Sequence, residues 1–113
     1  MYLPMFSWHV FKANLLDLGL VSQEQLDAMK KECYTMRKED PIGRRRSNNG
    51  AGWQSVDGVN DRPMFQSLLN GLEEVFNKEV FPFHCGEHNK NFNLEHGNYW
   101  VNINYQHGYN NVH

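Results

Sequence analysis

The segment FHCGEHNKNFNLEH carries four side chains of metal-binding type, His84, Cys85, His88 and His96. A structural zinc ion takes four such donors in a closed tetrahedron. The spacing here is irregular, because Cys85 adjoins His84 and no Cys-x-x-Cys pair is present. A polar turn between Pro82 and a following strand accounts for His84 and His88 without any metal. Nucleophilic catalysis by the Cys85 thiol with His84 meets a geometric obstacle. Adjacent residues rarely bring thiol and imidazole into productive contact, and no oxyanion donor can be named. A further candidate is His113, which follows a strand-like run and a glycine turn in NYWVNINYQHGYNNVH.

That run predicts a strand over about 98–105. Tyr99, Val101, Ile103 and Tyr105 alternate with Trp100, Asn102 and Asn104, so the two sets occupy opposite faces. Asparagine is depleted in strands. A Trp-Asn-Asn face therefore points to a polar interior, such as a barrel mouth holding a small ligand; the alternative is a plain exposed face.

Two helices are predicted upstream. Ser22 and Gln25 form a capping-box pattern, and Val21 and Leu26 are placed as a hydrophobic staple. Leu26, Met29, Cys33 and Met36 then make one apolar stripe, with Glu24 at the start and Arg37 and Lys38 at the end suiting the helix dipole. These signals predict a helix over about 22–38, closed by Pro41 and Gly43. A second helix is expected over about 62–78, capped by Asp61 and with Pro63 in its first turn. Its broad face of Phe65, Leu68, Leu69, Leu72, Val75 and Phe76 suits packing on a sheet. Gly71 within it suggests a close approach.

Between the helices, residues 39–61 form a long connection. Trp53 within its Gly/Ser/Asn-rich stretch is expected to bury its indole and order part of that loop. Arg44 to Arg46 read as a solvated basic surface, with an anion patch as the alternative. Residues 2–11, with Phe6, Trp8 and Val10 alternating against Ser7 and His9, predict a short strand, at a sheet edge because of Pro4.

The chain has 113 residues, 13% of them aromatic, with a formal charge of −2. That suits one domain with a packed core and gives no global attraction to nucleic acid or anionic lipid. No apolar run reaches the ~20 residues that span a bilayer, and no signal-peptide pattern is evident, which predicts a cytoplasmic protein without membrane or nucleic-acid partners. Cys33 and Cys85 are expected as reduced thiols.

Taken together, SNNGAGWQSVDGVNDRPMF, FPFHCGEHN and NYWVNINYQHGYNNVH resemble the iron(II)/2-oxoglutarate-dependent oxygenases of phages and bacteria. The resemblance covers most of the chain and is strongest from about residue 47. It implies an α+β fold: a double-stranded β-helix, or jelly roll, with two helices packed on an antiparallel sheet. It also implies oxidative decarboxylation of 2-oxoglutarate to succinate, with iron(II) held by two histidines and a carboxylate. In that pattern His113 matches the first histidine ligand, and Asn102 and Asn104 line the barrel mouth near cosubstrate. The family pattern continues beyond this histidine. The resemblance therefore predicts the amino-terminal part of an oxygenase, inactive alone, with no tightly bound cofactor. A complementary carboxy-terminal chain would complete it by pairing along the open sheet edge. A non-catalytic interaction module is the alternative from a different class, and a small zinc protein using His84, Cys85, His88 and His96 is a third.

Overall fold

The computed structural model describes residues 1, 10–45, 47–85 and 93–111. The strand expected over 2–11 therefore falls almost wholly outside the described residues, as do Arg46, His88 and His113. The architecture is α+β, with helices and a small two-stranded antiparallel sheet.

Helix α1, Gln23–Glu39, begins on the capping box that its sequence encodes. The Gln25 amide donates to the Ser22 hydroxyl at 3.2 Å, and the Ser22 amide donates to Gln25 Oε1 at 2.8 Å. Two otherwise unpaired backbone donors are thereby satisfied by two side chains. Met29 and Met36 are buried, and Leu26 and Cys33 pack beside them. Ahead of α1, Asn14 organises one helical turn by accepting from the Leu16 amide at 2.9 Å through its side chain, and Gly19 ends the turn with φ of 69°. Nothing in the periodicity of that stretch announces this turn.

Helix α2, Pro63–Val75, departs from the sequence expectation at both ends. Asp61 does not cap it. A 3-10 turn, Val59–Asp61, precedes the helix and absorbs Asp61, leaving Arg62 in the capping position with no side-chain capping bond. At the other end the chain does not stop near residue 78. It widens into a π-helical stretch, Phe76–Val80, and continues as α3, Phe81–Cys85. Pro82 explains the widening. A proline ring collides with the carbonyl four residues earlier and offers no amide, so a helix that runs through it must change its bonding. In place of an ordinary α-helical bond, the Phe81 amide reaches back five residues to the Phe76 carbonyl. The polar turn expected directly after Pro82 is thus helical through Cys85.

The sheet consists of β1, Gly52–Gln54, and β2, Asn102–Asn104. Gly52 lies opposite Asn104, Trp53 opposite Ile103 and Gln54 opposite Asn102. Its apolar face closes a core of Val21, Met29, Met36, Trp53, Val59, Phe65 and Leu69. Trp53 is 4% exposed and its indole Nε1 donates to the Asp40 carbonyl at 2.8 Å, which fastens the interhelical connection to the end of α1. Arg62 joins the helices by charge: it bonds Glu32 at 2.6 Å and also Glu39, both on α1. Gly71 lets α2 approach Leu20, since a Cβ there would come within 2.9 Å of the leucine Cδ2. Among the described residues no helix is long and apolar enough to cross a membrane.

Candidate functional site

The site is built from two stretches some fifty residues apart in sequence. Residues 47–55 run antiparallel to residues 101–111, and the pairing extends well beyond the short strands. The Tyr105 amide donates to the Ala51 carbonyl at 3.0 Å and the Ser55 amide to the Val101 carbonyl at 2.9 Å. Further out, Asn49 N–H meets the Tyr109 carbonyl at 3.1 Å and Asn111 N–H meets the Ser47 carbonyl at 2.9 Å. Asparagine side chains lace the far end. Asn49 Nδ2 donates to the His107 carbonyl at 2.9 Å, and Asn111 Nδ2 donates to the Asn48 carbonyl at 3.1 Å. The turn carries His107 at φ of 63° and then Gly108. A Cβ on Gly108 would sit 2.3 Å from the Ala51 carbonyl oxygen, so only glycine allows the ribbon to close there.

The ribbon's side chains alternate between two faces, although Tyr105, in register with the core-facing set, is 45% exposed. Val101 and Ile103 turn toward the core with Tyr99. Asn102 and Asn104 lie on the opposite face and are exposed, as is Trp100 at 45%. Gln54 stands opposite Asn102 on that same face, yet it is only 2% exposed. Its Oε1 is buried without a hydrogen-bond partner. Three amide side chains thus share one face, one of them buried. Nothing in the sequence marks Gln54, because the Gly, Ser and Asn residues around it hide strand alternation.

Beside this ribbon runs an open groove of about 380 Å³. Lys30, Cys33 and Tyr34 of α1 form one wall, and Val101 to Asn104 form the other. Burial pushes the Cys33 thiol up, so it stays protonated and is a poor nucleophile or metal ligand. The groove therefore offers amides, an ammonium, a phenol and a protonated thiol. Iron(II) in an oxygenase centre takes imidazole and carboxylate. The donor set on these described residues does not suit that metal.

Of the four candidate zinc donors, only His96 has a described side chain. The backbone of His84 and Cys85 closes α3, whereas His88 and His113 lie outside the described residues. His96 is engaged elsewhere: its Nδ1 lies 2.5 Å from Glu73 Oε2, and its amide donates to the same oxygen at 3.0 Å. Those donors, the backbone amide first, hold the Glu73 carboxyl below the usual range. Phe76, Leu94, Glu95 and Tyr99 complete a pocket of about 210 Å³ around this pair. Glu73 stands 23 residues before His96, and its helical position alone gives no sign of the pairing. Among the described residues, no group of three or more His, Cys, Asp or Glu is placed to hold a metal ion. Arg44 pairs with Asp57 at 3.3 Å on a largely solvated surface.

No family model, curated protein or solved structure matches the chain.

Proposed function

We propose that this chain contributes a wall of an iron(II)/2-oxoglutarate-dependent oxygenase of jelly-roll type, with His113 as a metal ligand and the Asn102–Asn104 face turned toward cosubstrate. One observation carries the reading. Gln54, Asn102 and Asn104 place three amides on one face of the ribbon, and Gln54 is buried with an unpartnered oxygen. A buried amide normally finds a partner, and leaving one unpaired costs about 1–3 kcal/mol. A face of this kind suits the lining of a polar interior, where the Asn102 and Asn104 side-chain N–H groups can bond a carboxylate and the Gln54 oxygen calls for a donor. Two of the three sequence stretches that carry the oxygenase resemblance supply the paired strands of this ribbon, which is a second support.

The reading assigns the chain a part of a centre. The 113 residues, loaded anaerobically with iron(II) and 2-oxoglutarate and then exposed to oxygen, are expected to give no succinate above background. Sustained succinate that disappears in His113→Ala would overturn the partial centre while keeping the chemistry. One firmly held zinc per chain that depends on His84, Cys85 and His88 would overturn the oxygenase reading itself.

A further inference from the structure

Among the described residues, nothing pairs with the edge of β2 that faces away from β1. In an antiparallel pair, residues alternate between those that exchange both backbone bonds with the partner strand and those that direct them outward. Tyr105 bonds Ala51 and Ser55 bonds Val101, so the inward set is 101, 103 and 105. Asn102 and Asn104 therefore present N–H and C=O to the other side. Neither residue has any further hydrogen bond or ion pair among the described residues. Such a row of unpaired groups is a template for another strand.

What lies alongside the edge selects the occupant. The groove floor leads from β2 to Lys30 and Tyr34 of α1, and Tyr34 continues it to Arg37 and Lys38. Among the described residues Lys30 and Lys38 take part in no ion pair, and Arg37 lies 5.0 Å over the Tyr105 ring. The helix thus offers, along a strand edge, three cations that have no acidic partner among the described residues. A second copy of this chain would bring the same cations against them, which charge repulsion opposes. Single-stranded nucleic acid would satisfy the cations but leave the outward amides and carbonyls of Asn102 and Asn104 without a matching ladder.

We infer that this edge accepts an extended acidic segment of a partner polypeptide as an added third strand. Its backbone pairs with Asn102 and Asn104, and its carboxylates on the α1 side meet Lys30, Arg37 and Lys38. The inference does not rest on the oxygenase reading, since it uses backbone groups and surface cations alone.

A fluorescently labelled peptide of alternating glutamate and valine is the probe, with an alternating lysine–valine peptide and an oligothymidine as comparisons. The acidic peptide should bind saturably, weaken as salt rises, and slow hydrogen exchange at the Asn102 and Asn104 amides. Asn104→Pro removes an outward N–H and spares the bonds to β1, and should weaken binding about tenfold. Lys30→Glu, on the solvent side of α1, should do the same without touching the strand. Unchanged exchange at those two amides in the wild-type chain overturns the inference whether or not the proline variant folds. So does preference for oligothymidine, equal binding of the lysine peptide, or self-association through this edge.

Discussion

The ribbon half of the molecule and the stretch that follows α2 are both rich in polar and aromatic residues, yet they are held in opposite ways. In the ribbon, Trp53 is buried and bonded to Asp40, and backbone bonds run from Ser47 to Ser55 against Val101 to Asn111. Beyond α2, Phe76 stands 47% exposed and Phe83 66% exposed, on a helix distorted around Pro82. Polar tethers join this stretch to residues 94–96: Asn77 bonds the Leu94 backbone, and Glu73, near the end of α2, bonds His96. Composition alone does not separate these regions. What separates them is whether an aromatic ring reaches the core.

The largest test of that contrast is Trp53→Ala. Emptying a buried aromatic site removes about 3–5 kcal/mol, enough to unfold a domain of ordinary stability in mild denaturant. Trp53→Phe keeps most of the apolar contact and loses the bond to Asp40, a cost of about 1 kcal/mol. Phe76→Ala should stay below about 1 kcal/mol, because half its ring is already in water. Urea midpoints for the three variants check the order. A Phe76 effect as large as that of Trp53 would abolish the distinction between the regions.

A smaller effect is expected at Arg62, which ties α1 to the start of α2 through Glu32 and Glu39. Its side chain is 30% exposed, so solvent screens the pair, and Arg62→Ala should cost about 1 kcal/mol and less as salt rises. Arg44→Ala, at a pair with 47% and 37% exposure, should be close to neutral. Unfolding at low and high salt separates the two. Equal losses would show that Arg62 acts by packing its stem rather than by charge.

The parts legible in the sequence are those whose physics is local. Ser22 and Gln25 announce the start of α1 because a capping box spans three residues, and the stripe from Leu26 to Met36 gives its buried side. Alternation from Tyr99 to Asn104 gives the two faces of β2, and Trp53 signals its own burial. The pairing of residues 47–55 with 101–111 joins stretches about fifty residues apart, where no periodicity reports the partner. Glycine and asparagine carry little strand propensity, so β1 and its buried Gln54 read as loop. Asp61 resembles a cap in isolation but is taken up by the 3-10 turn. The continuation through Pro82 depends on a π-helical detour that breaks the usual rule that proline ends a helix. Glu73 and His96 meet only because the chain returns across α2.

That last pair gives the smallest and most specific effect. Glu73 is held below its ordinary value of 4.5, so the folded state binds its proton more weakly than the unfolded chain does. The stabilisation is therefore present above the ordinary glutamate range and fades as pH falls through the lowered folded value. Glu73→Gln should remove this acid-side loss and leave a stability curve that is flatter there. The leading cause is the backbone amide of His96, with the imidazole contact after it. His96→Gln keeps that amide and should retain most of the acid-side loss, whereas a variant that moves the 94–96 backbone should not. If His96→Gln flattens the curve as fully as Glu73→Gln, the imidazole rather than the main chain fastens this stretch to α2. Side-chain chemistry would then hold both halves of the molecule.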